Sequence, residues 1–184
     1  PKARFCVINK ERLFIANVPA NTNGKSELDW SDVLNPDYFN YGTDYELIRP
    51  DDGDEITFLK IYQGIPTIGK TNSIQKFYTE AASSANWYVS DPFSFIGCPA
   101  PYTAASTPLG IMYLGRYGIY VFNGSLSQLI SDSVTKEIKD IAQVNLSESA
   151  GIFHDNQYVL AYTSLATWSS TNDRVLILDT VRKI

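Results

Sequence analysis

The sequence predicts an all-β fold: a β-propeller or propeller-like array of about four antiparallel blades over residues 1–184, with one short helix near 131–141. Three observations carry this. The chain has 12 Tyr, 9 Phe and 3 Trp, and Val, Ile and Thr fill short apolar runs between Gly, Asn, Asp and Pro clusters, the composition of strands and turns. Pairs of such runs joined by a tight turn recur four times along the chain. Finally, a lone sheet of this size cannot bury both faces, so successive units must stack on one another.

The first hairpin joins residues 4–8 to 12–16 through Asn9-Lys10-Glu11, and its unit continues with 28–32 and 45–48. The second joins 56–62 to 65–70 through Gln63-Gly64, followed by 73–78 and 87–90. The third joins 110–114 to 118–122 through Gly115-Arg116-Tyr117, followed by 126–130. The fourth joins 150–153 to 158–163 through His154-Asp155-Asn156-Gln157, followed by 174–178. Turn centres fall near residues 10, 64, 116 and 156, spaced by about 54, 52 and 40 residues, against roughly 40 to 50 for a propeller blade. One segment departs from the pattern. Val134, Ile138 and Ile141 recur at i, i+4 and i+7 between charged residues, which predicts a helix of two to three turns that packs its apolar stripe as a connector.

Length and charge exclude several classes. A chain of 184 residues buries enough surface for a core without staples. No apolar run reaches the roughly 20 residues of a spanning helix. The net charge of −5, with 15 Lys+Arg scattered among 20 Asp+Glu, argues against a nucleic-acid or anionic-membrane surface. One His and two Cys cannot build a Cys/His zinc cage. Cys6 lies in the apolar run Phe5–Ile8 and reads as a small hydrophobe, Cys98 lies in a Pro-containing loop, and both are expected as free thiols. The start at Pro1, with a strand within four residues, is what a piece cut from a longer chain would show.

Candidate sites are few. Asp51, Asp52, Asp54 and Glu55 surround Gly53 and could offer oxygens to Ca²⁺, without the full calcium-loop spacing; a solvated turn explains them as well. Trp87, Tyr88 and Trp168 could form a sugar-stacking platform, with packing between blades as the plainer reading. A glycosidase needs two acids about 5 to 10 Å apart, and Asp29, Asp32, Asp91 and Asp155 are candidates only through their places at strand ends and turns. His154 reads as a polar turn residue. No nucleophile elbow, zincin helix or phosphate loop is present, so no enzyme activity and no cofactor are expected.

The run Tyr113-Leu114-Gly115-Arg116-Tyr117-Gly118-Ile119-Tyr120-Val121-Phe122-Asn123-Gly124-Ser125, with Leu129-Ile130-Ser131-Asp132 after it, resembles a phrase of phage tail and neck structural proteins. Leu13–Asn17 leading to Asp29–Asp32 and Asn35–Phe39, and Gly53–Leu59 leading to Ile65–Phe77, are similar to strands and turns of the same proteins. Together these cover roughly residues 5–132. The resemblance implies a β-propeller-like virion component of a tail, neck or baseplate, present in several copies and partnered by other virion subunits, itself included. It carries over no catalytic residue. The alternative is a carbohydrate-binding propeller, with a glycan as partner; a glycosidase is the minority reading.

Overall fold

Short strands joined by left-handed turns build every sheet of this molecule. The computed structural model describes residues 2–40, 42–166 and 171–181. Its strands form four antiparallel meanders, divided between two compact units, Pro1–Gly97 and Cys98–Ile184. The predicted all-β class and the short helix are therefore present.

In the first unit, β1 (Phe5–Asn9), β2 (Arg12–Ala16), β3 (Glu27–Trp30) and β4 (Tyr45–Leu47) pair in sequence order. So do β5 (Ile56–Tyr62), β6 (Ile65–Lys70), β7 (Ile74–Tyr78) and β8 (Tyr88–Val89). The period-2 alternation of each strand sends one set of side chains to a shared core. Phe14, Ala16, Leu28 and Trp30 of the first sheet meet Ile56, Leu59, Ile68 and Phe77 of the second, with Ile48 between. Lys70 closes one end of this unit. Its side chain is fully buried, and Nζ donates to Asp52 Oδ1 at 2.6 Å, Ile48 O at 2.9 Å and Arg49 O at 3.0 Å. Gly69 is needed beside it, because a Cβ there would lie 2.1 Å from the Phe58 ring.

The second unit holds β9 (Ala105–Thr107), β10 (Gly110–Leu114), β11 (Ile119–Phe122) and β12 (Ser127–Leu129), then α1 (Thr135–Lys139), then β13 (Ala150–His154), β14 (Gln157–Tyr162) and β15 (Arg174–Asp179). Met112, Leu114, Ile119 and Val121 face Tyr158, Leu160, Tyr162 and Leu178 across the core. Strands β10 and β11 are buried on both faces; on the other face, Tyr113 stacks on Tyr120 and its hydroxyl donates to Ser127 Oγ at 2.7 Å. The last sheet has three strands, in the order β13-β14-β15.

The helix is shorter than its apolar spacing predicts. A 3₁₀ turn over Asp132–Val134 precedes the five residues of α1, while Ile138, Ile141 and the partly buried Val134 pack on the core as a connector would. A second 3₁₀ stretch, Gln143–Glu148, follows. The thiols are both free, but their settings reverse the expected ones. Cys6 is exposed because edge strand β1 alternates it away from the core. Cys98 is fully buried in a polar knot: its Sγ donates to Ala100 O at 3.1 Å, and Thr103 Oγ1 donates to the same carbonyl at 2.7 Å. Burial pushes the Cys98 thiol up to about 12, against which the bonds to Thr103 and Ala100 act only weakly. Tyr158 completes the knot by donating to Thr103 O at 2.7 Å past Gly151, where a Cβ would lie 2.6 Å from the tyrosine oxygen.

Candidate functional site

Of the aromatic platform read from the sequence, two residues can be placed, and they do not share a face. Trp87 and Tyr88 are consecutive extended residues, so they leave the chain on opposite sides. Trp87 joins Trp30 at 5.1 Å and Phe77 at 5.9 Å, with the Arg12 guanidinium 5.5 Å above its ring. Its indole N–H donates to Ala81 O at 2.8 Å. Tyr88 faces outward and stacks on Tyr78 at 5.0 Å. Trp168 lies outside the described residues.

The acidic turn is spoken for by the protein itself. Asp52 holds Lys70 and accepts from the Asp54 amide at 3.0 Å. Asp54 accepts from the backbone amides of Glu55 at 2.9 Å, Thr71 at 3.0 Å and Asn72 at 2.9 Å. Glu55 lies 3.6 Å from Arg4 and 3.9 Å from Lys25, and Asp51 is exposed. Among the described residues no three acidic, His or Cys side chains converge to hold a metal. Asp52 and Asp54 tie chain segments together through these N–H and ammonium partners.

Of the acids named for glycoside chemistry, Asp32 sits 3.8 Å from Arg12, while Asp91 and Asp155 are exposed. His154 ends β13 with Nε2 3.1 Å from Asp155 Oδ2, both exposed. Asp29 differs from all of these. It stands inside β3 and is 2% exposed, with its carboxyl beside that of Glu27. Burial first, then the charge of Glu27 and a side-chain hydrogen bond with it, raise its carboxyl to about 7. Sequence reasoning placed Asp29 at a strand end, and the Leu28-Asp29-Trp30 alternation reads the same for an acid on an exposed face, so its burial left no signal.

Glu27, two residues back on the same face, opens onto a groove of about 550 Å³ lined by Asn21, Thr22, Asn23, Glu27, Tyr45 and Leu47 among others. The register explains the layout: Glu27 pairs with Leu47 and Asp29 with Tyr45, so two rows of one sheet face form its floor. The loop after β2 forms a wall, fixed where Val18 N–H donates to Gly24 O at 2.7 Å, and Asn21 Nδ2 donates to Glu27 Oε1.

The other feature of this kind is a surface of the last sheet. On the face away from its core, Ile152, Val159 and Ile177 form one cross-strand row, and Ala150, Ala161 and Val175 the next. Ile152 is 63%, Val175 64% and Ile177 55% exposed. Among the described residues β15 pairs with β14 alone, which leaves one side of its backbone as a sheet edge. Compared with known proteins, the chain matches no family model, and no curated protein matches it.

Proposed function

We propose that this chain is a propeller-like structural component of a phage virion, in the tail, neck or baseplate, that works through protein–protein contacts. The observation that carries the proposal is the open apolar face of β13–β15. Scattered apolar side chains need no explanation on a protein surface, but a two-row apolar patch beside an open sheet edge is the form of an interaction surface. Four sheets of blade-like topology and the resemblance over residues 5–132 supply the virion context. In this reading the sheets are blades, and the face that the last one leaves open receives a neighbouring subunit, first of all another copy of this chain. The work is mechanical: burial of the patch and extension of the β15 edge hold subunits in register, with no reaction involved.

Gold-labelled antibody against this chain, applied to virus particles from the source sample in the electron microscope, tests the placement. Gold at a tail, neck or baseplate is the expected result. Gold absent from particles and present in the soluble fraction or on cell surfaces would overturn it.

A further inference from the structure

The groove over β3 and β4 has a composition that narrows what it can hold. Its volume of about 550 Å³ lies in the range of small-ligand sites, roughly 300 to 1,000 Å³. Among the described residues no cationic side chain lines it, and Glu27 faces it with Asp29 alongside. Phosphates, carboxylates and nucleic acid are thereby disfavoured. The lining is also too polar for a lipid tail: the amides of Asn21 and Asn23, the Thr22 hydroxyl and the Glu27 carboxylate share it with Leu47. Tyr45, at 41% exposure, adds an aromatic surface on the strand next to Glu27.

A ligand that fits must present hydroxyl donors to Glu27, acceptors to amide N–H groups and an apolar face to an aromatic ring. Sugars have these three properties together. We infer that the groove is a binding site for a neutral glycan of one or two residues, with Tyr45 as the stacking surface and Glu27, Asn21 and Asn23 as hydroxyl partners. Asn21 already bonds one Glu27 oxygen, which fixes the carboxylate and aims its second oxygen at the ligand. The inference stands apart from the virion reading, since a glycan site would serve this chain in any assembly.

The test is a titration of the isotope-labelled chain, followed by amide chemical shifts. The probes are lactose, maltose and cellobiose, with glucosamine and glucuronate as charged comparisons. At least one neutral disaccharide is expected to move the Asn21, Asn23 and Tyr45 amides saturably. Tyr45→Ala and the near-isosteric Glu27→Gln should each weaken that binding at least tenfold, while Tyr117→Ala, in a turn of the other unit, leaves it unchanged. Silence toward all neutral probes at millimolar concentration would overturn the inference. So would shifts centred on Tyr78 and Tyr88, or binding of glucosamine alone. None of these results bears on gold labelling of particles, so the two readings fail separately.

Discussion

Asp29 is the residue whose environment is least like that of its neighbours. A buried carboxyl resists ionisation, and Glu27 beside it adds repulsion and a hydrogen bond that favours the protonated form. Its folded-state value of about 7, against an ordinary 3.8, fixes the sign of the linkage. The folded state binds the proton more tightly, so this contribution to stability is full below about pH 4 and is lost as pH rises toward 7. Urea unfolding should therefore show stability falling over that window. Asp29→Asn should remove the slope and leave the variant more stable than the parent at pH 8 by on the order of 2–4 kcal/mol. A parent and variant that share one pH profile would contradict this.

Lys70 is the opposite case, a buried charge with every donor occupied. Lys70→Ala would leave Asp52 and two backbone carbonyls without their cation, at a cost of about 3–5 kcal/mol, readable as a lower urea midpoint. Neither Asp29 nor Lys70 announces itself in the sequence. An acid or a lysine in an apolar strand looks like a surface residue of an alternating pattern until cross-strand partners are known, and partners are set by register, which composition does not contain.

At the scale of elements, the turns made the hairpins legible. Lys10-Glu11 and Asp155-Asn156 all adopt positive φ, as two-residue hairpin turns require, and the runs flanking them became β1, β2, β13 and β14 close to their expected bounds. Strands Ile56–Tyr62 and Ile65–Lys70 match the runs read from the sequence end to end. Glu11 sits in this left-handed region at φ 61 without the freedom of glycine, so Glu11→Gly should raise thermal stability by about 1 kcal/mol. A midpoint that does not rise would mean that side-chain contacts outweigh the strain. Gly151→Ala should act in the other direction, costing about 1–3 kcal/mol by pushing the Tyr158 hydroxyl from Thr103 O. Strand β9 and the 3₁₀ stretch at Gln143–Glu148 went unread, because Ala105-Ser106-Thr107 is too short for a pattern and the 3₁₀ turns have no apolar period. The acidic turn stays ambiguous in sequence for a related reason: clustered carboxylates have the same spacing whether they bind an ion or, as Asp54 does, backbone N–H groups.

For the molecule as a whole, composition was enough for the all-β class, and the roughly even spacing of hairpins anticipated four meanders. It could not show that the last sheet has three strands among the described residues or that its second face is apolar and open, since the alternation of Ile152, Val159 and Ile177 looks the same whether that face is covered or bare. Nor did it reveal the groove, whose lining comes from a loop and two strands separated in sequence. Both features become visible only when strands are placed in register.

The claim that this chain acts by contacts through the open face of β13–β15 is tested most directly by sedimentation velocity on the parent and on Ile177→Lys across a range of micromolar concentrations. Ile177 is 55% exposed on the edge strand of the patch, so a lysine there disturbs the surface without entering the core. The parent is expected to self-associate with rising concentration and the variant to sediment as a monomer with unchanged thermal unfolding. A parent that stays monomeric throughout, or a variant that assembles as the parent does, would contradict the claim.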